Sequence, residues 1–335
     1  MVKLKSWYIN FIEKDRHNIL EKVFYCFLCL LSYVYGGVVW LRNFFYNKGI
    51  IPSYSSKAKV ISVGNLSWSG SGKTPLSIWL YENLAAKYRV AILRRGYGDD
   101  ENKMILERTA DVFCQTDRYS LAKKLESSFN LFILDDGFQF RRLKRDINIV
   151  VRGSREFRGK HRLIPAYFFR EPLSSLARAD ILLLNYKDEI NEPVKLKKSI
   201  ESDFPYLKVY FSSYKLKRFI DLEGNEFEID SFRSKKIACF CAIGYPQGFI
   251  NGLKALGLDL ERQIIYPDHY TLSKEEFRAL EEDLLGKGIK ELVITYKDRY
   301  HLPEVSSRLS IFIMEVELQI EQEEEFLSEI IKKLD

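Results

Sequence analysis

Val63 to Leu76 reads VGNLSWSGSGKTPL and continues the short β-branched run Lys57 to Val63, KAKVISV. Such a run favours a strand, whereas Thr74 to Lys87 carries helical spacing through Leu76, Leu80 and Leu84. The glycines therefore fall at a strand-to-helix turn. A nucleotide phosphate needs backbone N–H donors at short range, and glycine lets a turn wrap it with no Cβ in the way. Gly70, Ser71 and Gly72 supply that turn. Lys73 can reach the terminal phosphates, the Thr74 hydroxyl can ligate Mg²⁺, and the N-terminal end of the helix adds positive potential. The first glycine of the usual spacing is Ser67 here. ATP and Mg²⁺ are the cofactors this pattern predicts.

Outward from the loop, Arg89 to Leu93, Leu131 to Leu134, Ile147 to Val151 and Asp180 to Asn185 are apolar runs of strand length separated by helical or turn segments. The alternation predicts an α/β fold of the phosphate-loop NTPase type, a parallel sheet covered by helices on both faces. Around Phe219 to Ile229, FIDLEGNEFEI alternates apolar and acidic residues about Gly224 and Asn225, the pattern of a β-hairpin. After it, Lys236 to Ile243, a helix from about Pro246 to Leu256 and a strand at Leu292 to Thr295 predict a second, smaller α/β unit. Ile320 to Leu334 reads as an amphipathic helix with an acidic run. The expected division is 1–50, an N-terminal helical segment; 51–215, the phosphate-loop domain; 216–231, a hairpin linker; and 232–335, the smaller domain.

Val23 to Trp40, VFYCFLCLLSYVYGGVVW, contains no charge and is flanked by Lys22 and Arg42. It predicts a membrane-associated helix, marginal as a span because Gly36 and Gly37 interrupt it and its tyrosines favour the interface. The chain has 335 residues, 46% of them hydrophobic, and a net charge of +6. That is length enough for two domains, and the small basic excess suits an anionic lipid or a phosphorylated substrate. Basic residues are not grouped with aromatics in a continuous patch, which disfavours a nucleic-acid partner. Five cysteines without metal-ligand spacing to histidine fit a reducing compartment.

The strand Leu131 to Leu134 runs into Asp135 and Asp136. Adjacent carboxylates repel, a cation stabilises both, and an apolar strand ending in acid is how phosphate-loop enzymes deliver metal ligands. With these residues in place the combination resembles the tetraacyldisaccharide 4′-kinase family. The resemblance is carried by the loop at Val63 to Leu76, by LDDGFQFRRLKRD at Leu134 to Asp146 and by LIPAYFFREPLSSLARAD at Leu163 to Asp180. LRNFFY at Leu41 to Tyr46, CAIGYPQGF at Cys241 to Phe249, YPDHY at Tyr266 to Tyr270 and TYKD at Thr295 to Asp298 extend it over nearly the whole chain.

The resemblance implies transfer of the γ-phosphate of ATP to the 4′-hydroxyl of an acylated glucosamine disaccharide 1-phosphate, in lipid A biosynthesis at the cytoplasmic face of the bacterial inner membrane. It implies that Lys73 and Thr74 hold phosphate and Mg²⁺, that Asp135 and Asp136 serve the metal, and that Gln139 lines the same site. Arg170 and Glu171 are similar to the family's interdomain catalytic pair, and His269 to the histidine that supports the base across the cleft. The family's base is the aspartate of a G-D-E-P motif after R-G-Y-G. Here Arg95 to Gly98 run directly into Asp99, Asp100 and Glu101, so Asp99 or Asp100 is the candidate and Asp117 the alternative. Phe140 stands where the family has histidine in D-D-G-F-Q-H, and Arg94 where it has the serine of S-R-G-Y-G. The competing readings are a phosphate-loop kinase or NTPase with another acceptor, which would tolerate loss of residues 1–50, and a membrane-associated nucleotide-binding scaffold, which would bind nucleotide without transferring phosphate.

Overall fold

Strand β1 (Lys59–Gly64) is buried beyond its first residue and lies between β4 (Leu131–Asp135) and β5 (Ile147–Gly153), parallel to both. The computed structural model describes residues 7–8, 11–12, 14, 18–68, 72–96, 99–109, 111–153, 161–185, 192–244 and 246–335, with the backbone alone for 99–102. Two compact units emerge among them, residues 7–213 with 318–335 and residues 214–317.

In the first unit, β2 (Val90–Arg94), β3 (Val112–Cys114), β6 (Ile181–Asn185) and the start of β7 (Lys208–Asp221) extend the sheet in the order β7–β6–β5–β1–β4–β2–β3, every pair parallel. Side chains alternate between faces along a strand, so a sheet that buries both faces needs apolar residues at every position. β1 shows this: Ile61 and Val63 join a core with Leu76, Leu80 and Ile133, whereas Val60 packs with Leu93, Leu121 and Phe132. α2 (Lys73–Leu84) lies over the first face; α4 (Arg118–Leu125) lies over the second. The register sets Val63 beside Asp135, which brings the ends of β1 and β4 together at one sheet edge.

Helix α8 (Glu323–Leu334) turns Phe326, Ile330 and Leu334, spaced four apart, into the core of β1 and α2. The end of the chain thus packs with the phosphate-loop unit and not with the segment that begins at 232. Its apolar face finds cover there, where each fully buried large side chain is worth about 1.5–3 kcal/mol.

α1 (Ile19–Asn47) opens with a capping box between Asn18 and Glu21. It continues unbroken through Gly36 and Gly37, contrary to the expected interruption. A side chain at Gly36 would meet Leu163 Cδ1 at 3.0 Å, so this glycine serves close helix packing. Only Leu28, Ser32 and Val39 are buried in α1, while Val23, Phe27, Leu30, Tyr33, Val34, Val38 and Trp40 are exposed. By length and composition it could cross a membrane.

The second unit holds parallel strands in the order β10 (Leu260–Ile265), β9 (Ile237–Cys241), β11 (Glu291–Thr295) and β12 (Ser310–Ile320). α6 (Pro246–Ala255) and α7 (Lys274–Gly286) accompany them. The predicted hairpin forms where β7 pairs antiparallel with β8 (Glu226–Phe227), Phe219 opposite Phe227. Gly224 there has φ of +91°, a left-handed turn that glycine adopts without strain.

Candidate active site

Two close approaches bring the phosphate loop and the Asp135–Asp136 turn together. A Cβ on Gly64 would lie 2.5 Å from the Cβ of Phe138, and one on Gly137 would lie 2.6 Å from the carbonyl oxygen of Leu134. Gly137 N–H also donates to the Val63 carbonyl at 2.9 Å. Only glycine fits at either position, so the turn after β4 is pressed onto the end of β1. Gly72 caps α2 in the left-handed region at φ +92° and no side chain caps the helix. First-turn N–H groups left without a side-chain cap are what an anion binds. Gly70 and Ser71 lie outside the described residues.

Lys73 follows the cap, with its Nζ 3.8 Å from Asp136 Oδ1, and Thr74 is buried beside it. Asp136 has φ of +50°, which turns it away from the strand direction of Asp135. Its carboxylate also accepts from Arg170 Nη1 at 3.0 Å. Burial works to raise the Asp136 pKa, but Lys73 and Arg170 outweigh it and hold the group below its ordinary value. Asp135 is enclosed: Arg94 Nε lies 2.8 Å from its Oδ2 and Ser77 Oγ donates to its Oδ1 at 3.0 Å. Of the adjacent carboxylates, Asp136 is the one open to a ligand. Gln139 Nε2 donates to the Asn65 carbonyl at 2.8 Å, and its side-chain oxygen is buried with no hydrogen-bond partner among the described residues. Among those residues no three His, Cys, Asp or Glu side chains gather around a metal position. A hydroxyl and one carboxylate nonetheless suit Mg²⁺, which keeps water and phosphate oxygens in its shell.

Arg170 and Glu171 part company. Arg170 faces Asp136, whereas Glu171 is fully buried with both oxygens occupied. Arg42 Nη2 donates to Oε1 at 2.8 Å; Arg178 Nη2 and Asn43 Nδ2 donate to Oε2 at 2.7 and 3.1 Å. The two side chains do not pair with each other, because successive residues here serve different neighbours.

In the second unit, His269 follows β10 with φ of +63°. Its N–H donates to the Ala242 carbonyl at 3.0 Å, and its Nε2 lies 3.3 Å from Lys297 Nζ and 3.6 Å from Asp268 Oδ2. Asp298 is fully buried, accepting from the Ala242 N–H at 2.8 Å and from the Thr295 hydroxyl. Burial pushes its pKa up despite those bonds. Asp99 and Asp100 open α3 (Asp99–Arg108) in the first unit; their side chains are outside the described residues. The alternative base, Asp117, accepts from Ser120 Oγ at 2.7 Å, and that bond leads the causes that lower its pKa.

The family described as tetraacyldisaccharide-1-P 4′-kinase, LpxK, matches residues 24–110 and 99–335. The chain belongs to that family. Tetraacyldisaccharide 4′-kinases from Elusimicrobium minutum and Halothermothrix orenii are 31% and 27% identical to it. The first alignment covers 94% of this chain and 93% of the relative, the second 95% of each. A crystal structure of LpxK from Aquifex aeolicus in complex with ATP superposes with a TM-score of 0.70 at 26% identity, over 91% of this chain and 98% of that one.

The departures, Ser67 from the usual phosphate-loop spacing and Phe140 and Arg94 from the motifs of the resemblance, have local reasons. Ser67, in place of the first loop glycine, forms an antiparallel bridge with Phe169, an extended conformation that needs no glycine. Phe140 lies under the Arg118 guanidinium, 4.4 Å from its ring centroid. Arg118 Nη1 donates to the main-chain oxygens of Asp135 and Asp136 at 2.8 and 3.1 Å. Burial lowers its pKa to about 10, so it remains charged at neutral pH. Arg94, in the serine position, is the partner of Asp135. Arg118 and Arg94 were not legible as site residues, because nothing in their local pattern distinguishes them from surface arginines.

Proposed function

We propose that this tetraacyldisaccharide 4′-kinase transfers the γ-phosphoryl group of ATP to the 4′-hydroxyl of an acylated glucosamine disaccharide 1-phosphate, with α1 seated on the cytoplasmic face of the inner membrane. The observation that carries the reading is the convergence of Lys73 and Arg170 on Asp136 beside the left-handed start of α2. Phosphoryl transfer is catalysed mainly by positioning and charge stabilisation. The N–H groups of the first turn of α2 and the Lys73 ammonium bind phosphate oxygens. Thr74 and Asp136 would hold Mg²⁺, which when bound supplies the charge that neutralises the β- and γ-oxygens. Asp135, neutralised by Arg94, fixes the turn from which Asp136 projects. Asp99 or Asp100 takes the proton of the attacking hydroxyl. The exposed apolar side chains of α1 suit contact with lipid, where the acylated acceptor resides.

The test is transfer of labelled γ-phosphate from ATP to the acylated disaccharide 1-phosphate, with and without Mg²⁺. Metal-dependent label on the 4′-position is expected. ATP turnover that leaves the lipid unlabelled would overturn the assignment of the acceptor.

A further inference from the structure

Along one helical face of α1, Ser32, Tyr35, Arg42 and Asn43 each contact residues 163–171 of the phosphate-loop unit, and Asn43 also contacts Arg141 and Arg178. Ser32 Oγ donates to the Leu163 carbonyl at 2.8 Å and the Tyr35 hydroxyl to the Arg170 carbonyl at 3.0 Å. Arg42 and Asn43 hold the two oxygens of Glu171. The other edge of the same segment is bonded to the entrance of the phosphate loop. Trp68 N–H donates to the Phe168 carbonyl at 2.9 Å, Arg170 N–H donates to the Leu66 carbonyl at 2.7 Å, and Ser67 bridges Phe169. Residues 163–171 are therefore a strap with the apolar helix on one side and the nucleotide loop on the other, and Arg170 projects from it onto Asp136.

The strap's fixed point is Glu171. An enclosed carboxylate with two guanidiniums and an amide on its two oxygens has one orientation, because moving it strands a buried charge. Arg178, its second guanidinium, follows it within the same chain segment, but Arg42 belongs to α1, 129 residues earlier. The Asn43 side-chain oxygen in turn accepts from Arg42 at 3.2 Å and from Arg178 at 3.2 Å, and Arg141 donates to the Asn43 carbonyl at 3.1 Å. The end of the lipid-facing helix is thereby locked to the residue next to Arg170.

We propose that Arg42 is a positioning residue for phosphoryl transfer: through Glu171 it ties the seating of α1 to the placement of Arg170 and of the phosphate-loop entrance. This rests on the reading of the chain as a kinase of an acylated sugar. Arg42 touches neither nucleotide nor acceptor in this scheme, so its loss lowers turnover without lowering lipid binding.

The experiment compares wild type, Arg42→Ala and Arg42→Lys for transfer to the acylated disaccharide 1-phosphate. Partitioning onto vesicles of equal parts phosphatidylethanolamine and phosphatidylglycerol is measured on the same proteins. For Arg42→Ala, kcat is expected to fall about tenfold or more, with KM for the acceptor and vesicle partitioning changed less than about threefold. Arg42→Lys, which keeps the charge but not the second donor, is expected to recover part of the loss. Turnover in Arg42→Ala within about twofold of wild type overturns the proposal, and so does a fall in partitioning that matches the fall in kcat. Should Arg42→Ala melt early, Tyr35→Phe removes only the bond to the Arg170 carbonyl; an unchanged kcat in that variant also overturns it. A wild type that labels no acylated sugar speaks against the acceptor assignment, whereas an active wild type with an indifferent Arg42→Ala speaks against the coupling alone.

Discussion

The carboxylates at the sheet edge and at the strap sit among similar cations but are built for different work. Asp136 has Lys73 and Arg170 as neighbours and keeps 36% of its side chain exposed; Glu171 has Arg42 and Arg178 and exposes none. Asp135, adjacent to Asp136 in sequence, belongs with Glu171, since Arg94 and Ser77 enclose it. Residue type and charge environment therefore do not separate a ligand-binding acid from a structural one. What separates them is enclosure: both oxygens of Asp136 accept from Arg170, but the group is partly exposed and can exchange a cation for a metal, whereas an enclosed carboxylate fixes the backbone around it.

The largest effect expected on the open side is at Lys73. Lys73→Ala removes the ammonium that faces Asp136 and that the proposed mechanism sets on the phosphates of ATP, and transfer of labelled phosphate is expected to fall by about a thousandfold or more. Near-normal rates in that variant would remove the loop from the chemistry and with it the distinction between open and enclosed carboxylates.

Next come Asp99 and Asp100 at the start of α3. One of them is expected to carry the base, so Asp99→Ala and Asp100→Ala differ, the effective one losing about 10²–10⁴-fold in turnover with little change in stability. Equal, small effects, with a large one from Asp117→Ala, would move the base to the start of α4 despite the bond that Asp117 accepts from Ser120.

The contrast between neighbours is tested most directly by Asp135→Ala against Asp136→Ala. The first removes an enclosed carboxylate that pairs with Arg94 and accepts from Ser77, and is expected to lower unfolding stability by about 3–5 kcal/mol in a denaturant titration. The second removes a partly exposed pair worth about 1 kcal/mol or less and is expected to act on turnover and on the Mg²⁺ concentration required. If the two variants unfold alike, the division into enclosed and open carboxylates fails.

Much of this was legible in sequence where the determinants are local. The strand and helix on either side of the glycines at Val63 to Leu76 follow from side-chain period within fourteen residues, and the structure has a strand ending at Gly64 and a helix beginning at Lys73. Asp135 and Asp136 announced themselves at the end of an apolar strand. The roles that stayed hidden depend on partners far along the chain: Glu171 takes its role from Arg42, 129 residues away, and Asp135 from Arg94 on the second strand. An interruption at Gly36 and Gly37 is what helix propensity predicts, a penalty of about 1 kcal/mol each that context can override. The contact of Gly36 with Leu163 is such a context, and no local pattern announces it.

The smallest effect concerns pH and sets Asp136 against the buried acid of the second unit. In the folded protein Asp136 titrates below its ordinary value of 3.8, so the unfolded chain binds more protons between the two values. Its contribution to stability is present above 3.8 and is lost as pH falls through the lower, folded value. Asp298 has the opposite sign: burial raises its folded pKa, the folded chain binds the extra proton, and stability declines as pH rises from 3.8 through the raised value. Asp136→Asn is therefore expected to flatten the acid limb of a stability-against-pH curve below about pH 4, and Asp298→Asn to remove a decline above it. Both changes are read from urea midpoints at matched ionic strength. A steeper acid limb in Asp136→Asn would mean that Lys73 and Arg170 do not hold that carboxylate ionised, and Asp136 would then have no claim to be the open member of the pair.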